Sequence, residues 1–159
     1  MSTTILPLPK NCHVTALAWD PAGKRIAATC SDGSLRVWHV PSQKLLFSRT
    51  FKGMQLLTVA WDVAGKKLAL GSSAGLSVLQ AWSGQVLLTH QFCHSVTKVS
   101  WSSLGSRFFT VSGSDVTVFY EPGFERVETH LARVIDADWR WDGSCIGSVC
   151  ANGSVKVWD

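Results

Sequence analysis

Charged side chains are scarce in this chain. Asp, Glu, Lys and Arg make up 16% of its 159 residues, whereas 46% of the residues are hydrophobic. A soluble domain usually carries about 25% charged residues, and a disordered chain has too few apolar residues to bury. The composition therefore predicts a folded, globular chain. The net charge of +4 is too mild to indicate a nucleic-acid partner on its own.

Long apolar runs are absent as well. No stretch approaches the roughly 18 consecutive apolar residues of a membrane span, and residues 1–10 show no basic segment followed by an apolar one. We therefore expect no membrane partner and no secretory signal. The five cysteines are scattered without a C-x-x-C pair, which favours reduced thiols over a disulfide framework. This pattern predicts an intracellular protein, in the cytoplasm, the nucleus or both.

Recognisable catalytic and metal-binding motifs are missing too. There is no G-x-S-x-G, no H-E-x-x-H and no phosphate-binding glycine loop. His90, Cys93 and His94 cluster, but their spacing fits no known zinc finger. We predict no enzyme activity, no metal and no cofactor. The alternative is a ligand or enzyme site at Asp136 and Asp138, which alternate along one strand and would share a face close to a central channel.

The chain does contain a repeat. Four tryptophans recur about 40 residues apart, and each has a glycine four residues later. The pairs are Trp19 and Gly23, Trp61 and Gly65, Trp101 and Gly105, and Trp139 and Gly143. Apolar residues also recur five and two positions before each tryptophan. A landmark kept in register over this period predicts one structural unit repeated four times.

Each unit is predicted to consist of strands and tight turns. Alternating and β-branched residues mark strands such as Val155–Trp158, and no window shows a convincing helical period. The segment after each tryptophan predicts a turn whose glycine has a positive φ, and Asp32-Gly33 and Asn152-Gly153 predict hairpins. Four antiparallel strands in about 40 residues describe a propeller blade. The sequence therefore predicts an all-β propeller with four blades of four antiparallel strands.

The predicted domain boundaries leave the ring open. A single domain spans residues 1–159, with blade 1 at 14–52, blade 2 at 53–93, blade 3 at 94–131 and blade 4 at 132–159. Blade 4 lacks its outer strand, and residues 1–13 are predicted to supply the outer strand of a preceding or last blade. Three interpretations remain: a fragment of a longer protein, two copies sharing one ring, or four blades that close alone. Unpaired edges predict that the isolated chain self-associates or is poorly soluble.

These units resemble the WD40-repeat family over nearly the whole chain. The fourth unit, from Ile146 to Asp159, carries the resemblance best, and the first, from Ile26 to Trp38, is nearly as good. Residues 133–139 are more weakly similar to transducin-β-like proteins. The resemblance implies a non-catalytic protein-interaction scaffold within a larger assembly, in a ring that generally has seven or eight blades.

The resemblance also implies a buried hydrogen-bonded set of His, Ser, Asp and Trp within a blade. In blade 4 the corresponding residues are His130, Ser148, Asn152 and Trp158, with Asn in place of Asp. Blade 1 keeps the tryptophan but has Ala28 at the place of the serine. An Asn cannot stabilise an imidazolium as an Asp does, so the set in blade 4 is expected to be weak.

Protein partners are expected on the narrow face, which the b–c turns and the connections between blades form in this family. The candidates there are Lys10, Asn11, Lys52, Met54, His94, Asp115 and Arg133. Trp141 lies in an a–b turn, where it either anchors a partner or packs on the neighbouring blade. Basic residues follow the repeated glycines: Lys24, Arg25, Lys66, Lys67 and Arg107. We interpret them as a solvated turn surface rather than a nucleic-acid footprint, because no aromatic residues are interleaved with them.

Overall fold

The structure is a computed structural model that describes residue 3, residues 5–120 and residues 124–158, with the backbone alone for residues 124–128. All regular secondary structure in this part of the chain is β-strand, and no helix there could span a membrane. The strands are β1 (Val14–Trp19), β2 (Arg25–Cys30), β3 (Ser34–His39), β4 (Lys44–Thr50), β5 (Leu56–Trp61), β6 (Lys67–Ser72), β7 (Gly75–Gln80), β8 (Val86–Gln91), β9 (Val96–Trp101), β10 (Arg107–Ser112), β11 (Asp115–Tyr120), β12 (Phe124–Thr129), β13 (Val134–Trp139), β14 (Ile146–Cys150) and β15 (Val155–Trp158).

The strands form four antiparallel sheets, each of which follows the order of the sequence. Blades 1, 2 and 3 contain β1 to β4, β5 to β8 and β9 to β12, and blade 4 contains β13 to β15. The first strands lie side by side, with β1 next to β5, β5 next to β9, and β9 next to β13. This arrangement places the first strand of every blade on the inside of the array. The prediction of an all-β fold built from four blades is confirmed.

The turn after each repeated tryptophan has the predicted geometry. In blade 1, the amide of Gly23 donates to the carbonyl of Asp20 at 2.9 Å, and in blade 2 Gly65 donates to Asp62 at 3.0 Å. All four landmark glycines have a positive φ, between 64° and 77°. Glycine adopts this conformation without the steric cost that a side chain would add. The repeated glycine is therefore required by the backbone of the turn.

A bulge in each first strand explains the unusual spacing of the apolar residues. Side chains alternate between faces along a regular strand, so positions five and two before the tryptophan would point to opposite faces. In β1, however, Val14 pairs with Cys30 and Ala16 with Thr29, which leaves Thr15 as an extra residue. The same irregularity occurs in β5, β9 and β13. The bulge brings both apolar positions onto the face that carries the tryptophan.

The hydrophobic core consists of three layers, one between each pair of successive blades. The first layer joins Ala27 and Val37 of blade 1 to Val59 and Trp61 of blade 2. The second joins blades 2 and 3, and the third joins blades 3 and 4. The landmark tryptophan of a blade thus packs against the preceding blade. Apolar side chains of each blade are therefore buried against its neighbours.

The predicted outer strand within residues 1–13 is absent from the described residues of that segment. Residues 3 and 5–9 are irregular, and Lys10 and Asn11 form a turn. Pro7 and Pro9 have no backbone N–H to donate to a sheet, which disfavours a strand that is not held against an edge. The assignment of residues 1–13 to an outer strand of a preceding or last blade stays a prediction.

Candidate functional site

One end of the four sheets carries the predicted partner-binding residues. Because the strands alternate in direction, the b–c turns and the connections between blades lie at the same end of each sheet. Lys10 and Asn11 precede β1, Lys52 and Met54 connect β4 to β5, His94 connects β8 to β9, Arg133 precedes β13, and Asp115 begins β11. All are exposed except Asp115, which is partly buried. We call this end of the array the loop face.

Backbone hydrogen bonds fix the loops of this face. The amide of Ser31 in a b–c turn donates to the carbonyl of His13 at 2.8 Å, and Ala151 donates to Arg133 at 2.9 Å. The amide of Val134 donates to the carbonyl of Gly113 at 2.9 Å, which ties blade 4 to blade 3. The first two bonds fix loops within blades 1 and 4, and the third holds blade 3 and blade 4 in a fixed relative position. A partner would therefore meet a surface that needs little ordering.

Depressions lie on the loop face at two places. One is lined by Thr15, Ser31 and Gln55 between blades 1 and 2, and the other extends from Met54 to His90 on blade 2. Each has a volume of about 230 Å³. Pockets for small molecules usually measure about 300–1,000 Å³. The depressions are therefore better suited to single side chains of a protein partner than to a cofactor.

Trp141 lies at the opposite end of blade 4. Its side chain is 84% exposed, so it does not pack on a neighbouring blade in the described structure. Whether Trp141 anchors a partner or packs on a further blade beside blade 4 stays a prediction. It lies apart from the loop face, because the a–b turns are at the other end of the sheets.

An arginine joins blade 1 to blade 2. The Nη2 atom of Arg25 donates to the carbonyl of Gly65 at 2.6 Å, and the guanidinium lies 4.6 Å from the ring centroid of Trp61. Asp20, on the same blade as Arg25, holds the guanidinium with an ion pair of 2.9 Å. The contact combines a charge-assisted hydrogen bond with a cation–π interaction.

The same contact recurs between blades 3 and 4. Arg107 donates to the carbonyl of Gly143 at 2.6 Å and lies 5.4 Å from the ring of Trp139. The signal was present in the sequence, as a basic residue six positions after the tryptophan in blades 1 to 3, with Cys145 at that position in blade 4. The interpretation of these two arginines as part of a solvated rim is wrong, since their guanidinium groups bind the next blade. The case for a nucleic-acid surface is weaker for that reason.

In blade 4 the structure brings together three of the four residues predicted to form a buried set. His130 Nε2 lies 2.8 Å from Ser148 Oγ, which also accepts a hydrogen bond of 3.3 Å from Trp158 Nε1. The Sγ atom of Cys150 lies 2.6 Å from His130 Nδ1. Asn152 is exposed, and its side-chain oxygen accepts hydrogen bonds within its own turn. Cys150 takes the place that the sequence assigned to Asn152, because its side chain points inward at the end of β14.

The two carboxylates considered for catalysis line one open depression of about 210 Å³. Lys98 Nζ lies 2.6 Å from the Asp136 carboxylate, and the hydrogen bond from Lys98 lowers the pKa of Asp136 despite partial burial. Asp136 is therefore ionised at neutral pH and holds no proton to donate. The carboxylate of Asp138 accepts the amide of Trp139 at 2.9 Å. The geometry engages these carboxylates in an ion pair and a backbone contact and gives no arrangement of an acid–base pair.

The outward face of blade 1 is uncovered. Val14, Leu17 and Trp19 are 42%, 59% and 50% exposed. The residues at the same positions of blade 2, Leu56 and Val59, are buried against blade 1. Position in the array, rather than residue type, decides this difference. Blade 1 thus presents the apolar surface that blades 2 to 4 use to contact a preceding blade.

Two family models match the ends of the chain. Residues 4–64 match the model of the anaphase-promoting complex subunit 4 WD40 domain, and residues 124–159 match the model of the WD domain, G-beta repeat. No curated protein sequence matches the chain closely enough to count as a relative. Neither model bears on the narrower similarity to transducin-β-like proteins, which stays a prediction.

Solved structures support the same fold. The chain superimposes on a structure of U3-55K with a TM-score of 0.83 and 21% sequence identity, over 95% of this chain and 50% of the other. It therefore spans half the length of that protein. As many as 1319 chains of solved structures match, so the fold alone does not select a partner. Because both family models describe WD40 sequences and the fold agrees with them, the chain belongs to the WD40-repeat family.

Proposed function

We propose that this chain is a non-catalytic protein-interaction scaffold, acting inside the cell as part of a larger or oligomeric WD40 ring. WD40 propellers typically act as interaction scaffolds and are generally non-catalytic. The observation that carries the proposal is the uncovered face of blade 1. Val14, Leu17 and Trp19 there match positions that other blades bury. Apolar patches of this kind on soluble proteins usually mark an interface.

The opposite end of the array supports the same proposal. Blade 4 has three strands in the described structure, so the outer edge of β15 has no neighbouring strand. Val155 and Val157 on β15 are 69% and 72% exposed. An edge strand with exposed apolar side chains favours pairing with another strand. Further blades, from a longer chain or from a second copy, would cover both ends.

The loop face is the surface we assign to protein partners. Its loops are fixed by hydrogen bonds between connections and turns, and its depressions fit side chains. One of the matching family models is named for a subunit of a complex, which is consistent with a scaffold. The basic side chains Lys52 and Arg133 are exposed there and would favour an acidic segment in the partner.

The assembly is tested by mutating the uncovered face. Leu17→Glu places a charge on the face of blade 1, and Trp82→Glu serves as a matched control, because Trp82 is equally exposed but lies in a turn between β7 and β8. The mass of the particle is measured by light scattering on the protein purified from the cells in which it naturally occurs. We expect Leu17→Glu to reduce the mass and the control to leave it unchanged. A particle with the mass of one chain, unaffected by either change, would contradict the assembly.

Partner binding is tested separately on the loop face. Lys52→Glu and Arg133→Glu reverse charges there, and Lys24→Glu reverses one at the other end of the sheets. Affinity capture followed by mass spectrometry should lose the same partner with both loop-face variants and keep it with Lys24→Glu. Partner binding that depends instead on Asp136 and Asp138 would favour the channel site. Binding that falls steeply with salt and is competed by nucleic acid would favour a basic surface.

A further inference from the structure

Two cysteine sulfurs and a carboxylate surround one guanidinium in blade 1. Arg36 Nη1 lies 3.2 Å from Cys12 Sγ and 3.2 Å from Cys30 Sγ. Its Nη2 atom donates to Asp32 Oδ2 at 2.8 Å. The two sulfurs and a carboxylate oxygen all lie within 4.8 Å of one another. We call these four residues the thiol cluster.

The strands place the two cysteines side by side. Cys30 ends β2, and Cys12 lies two residues before β1, which pairs with β2. Between them, the backbones of His13 and Ser31 are joined by a hydrogen bond of 2.8 Å. Cys30 is fully buried, whereas Cys12 is partly exposed. A small reagent in solution can therefore reach Cys12 but not Cys30.

The environment of these sulfurs differs from that of ordinary core thiols. Buried cysteines usually contact apolar atoms and are inert. Here both sulfurs face the same cation, which stabilises negative charge on sulfur, and Asp32 holds that cation in place. The guanidinium also fills the space between the three potential ligands, so a metal ion would have to displace it. The cluster as built therefore favours thiol chemistry over metal binding.

We propose that Cys12 and Cys30 are an oxidation site, at which a hydroperoxide converts the two thiols into an intramolecular disulfide. The reagent is a small hydroperoxide such as hydrogen peroxide, because the thiolate is the nucleophile that attacks the O–O bond.

The reaction proceeds in two balanced steps. The Cys12 thiolate attacks one peroxide oxygen, so an S–O bond forms, the O–O bond breaks and the hydroxide that leaves is protonated to water. Cys30 sulfur then attacks the Cys12 sulfenic acid: the S–S bond forms, the S–O bond breaks, and the leaving hydroxide takes the Cys30 proton. Two thiols are oxidised by two electrons, and one peroxide is reduced to two waters.

The roles of the two cysteines follow from their burial. Burial raises the pKa of the Cys30 thiol, and its contact with Cys12 raises it further. Cys30 is therefore the slower of the two sulfurs to react with peroxide, and its position next to Cys12 gives it the resolving role. Because Cys12 lies outside the sheet, forming the bond draws the preceding turn toward β2. Oxidation would thus fix Lys10 and Asn11 on the loop face.

The test is peroxide titration of the full chain, followed by non-reducing digestion and mass spectrometry. We expect a peptide pair linking Cys12 to Cys30, lighter by two hydrogen atoms, before Cys93 is oxidised. Cys93 is the internal control because it is exposed. Cys12→Ser should abolish the linked pair, whereas Cys93→Ser should leave its rate unchanged. Arg36→Gln should slow the reaction, with Arg36→Lys restoring part of the rate.

Some outcomes would overturn the proposal. These are oxidation of Cys93 while Cys12 and Cys30 remain reduced, a stable sulfenic acid at Cys12 without a linked pair, or disulfides only between chains. If Arg36→Gln fails to fold, the wild-type titration and the Cys12→Ser variant still decide the question. The assembly and partner experiments above have separate readouts, so failure of one leaves the other standing.

Discussion

Blades 1 and 4 have the same landmarks at the same positions but differ in what covers them. Val134 is 3% exposed, whereas Val14, its counterpart in blade 1, is 42% exposed. Trp139 packs against blade 3 and donates to the carbonyl of Ser100 at 3.1 Å, while Trp19 is 50% exposed. The difference shows that this repeat encodes a face that only a neighbouring blade can complete. Stability in such an array is approximately a sum of terms within each repeat and terms between neighbouring repeats.

The polar interior differs between the two blades as well. In blade 4, Trp158 donates to Ser148, which also contacts His130. In blade 1, Ala28 occupies the position of Ser148, and Trp38 Nε1 is buried without a partner among the described residues. A buried donor without an acceptor costs about 1–3 kcal/mol. Blade 1 is therefore the less complete of the two in both its outer face and its interior.

The largest expected effect on stability distinguishes Trp139 of blade 4 from Trp19 of blade 1. Trp139→Ala removes a packed indole, its hydrogen bond and its contact with Arg107, and should lower the free energy of unfolding by about 3 kcal/mol. Trp19→Ala is the matched change on the uncovered face and should cost less than about 1 kcal/mol in the isolated chain. Denaturant unfolding of the 159-residue chain measures both.

Equal costs for the two variants would break the comparison between blades. That result would mean that the face of blade 1 is already covered in solution, by a second copy. In the native assembly we expect the cost of Trp19→Ala to rise toward that of Trp139→Ala. No rise there would show that no blade packs on this face.

The next effect concerns the position directly after the tryptophan, which is Asp20 in blade 1 and Arg140 in blade 4. Burial raises the pKa of Asp20, but hydrogen bonds from Arg25 and Lys24 lower it more, so the folded pKa lies below the ordinary value of 3.8. A carboxylate with a lowered pKa stabilises the fold above its unfolded pKa, and this contribution is lost as the pH falls through the folded value.

Asp20→Asn should therefore cost about 2 kcal/mol at neutral pH. The difference in the free energy of unfolding between the variant and the wild type should shrink as the pH falls below 3.8, the pKa of Asp20 in the unfolded chain. Unfolding midpoints measured from neutral to acidic pH check this. Asp138→Asn, which replaces an exposed carboxylate on blade 4, is the control and should shift the unfolding midpoint far less at neutral pH. A gap that does not vary with pH would mean that the charge of Asp20 contributes nothing.

The architecture could be predicted from the sequence because short local sequence patterns determine the strands and turns of each repeat. The positive φ of Gly23, for example, follows from the turn itself. The spacing of apolar residues before each tryptophan was visible, but its cause, a bulge at Thr15 and its counterparts, was not. A bulge leaves no residue signature of its own when the extra residue is an ordinary one. The pairing register of the two strands is needed to see it.

The polar contacts were less predictable, because they depend on which side chains meet across elements. His130 and Ser148 were recognisable by position, whereas Cys150 was not, since a thiol is seldom considered as a hydrogen-bond partner. Arg25 was assigned to a solvated turn surface because no aromatic residues are interleaved with the basic residues there. Its contact with Gly65 lies 40 residues away. Such pairs become visible only when successive blades are placed side by side.

The smallest expected effect on stability comes from giving blade 1 the buried hydroxyl group that blade 4 already has. Ala28→Ser places a hydroxyl where Ser148 lies in blade 4, 3.3 Å from the indole nitrogen of its tryptophan. The new hydroxyl should accept a hydrogen bond from Trp38 Nε1 and raise the free energy of unfolding by about 1 kcal/mol.

Ala27→Ser is the matched control. Ala27 is fully buried between blades 1 and 2, where the hydroxyl would face apolar side chains. It should be destabilising by about 1 kcal/mol. If both serines destabilise equally, the indole of Trp38 does not offer its N–H to this position, and the interior of blade 1 is built differently from that of blade 4.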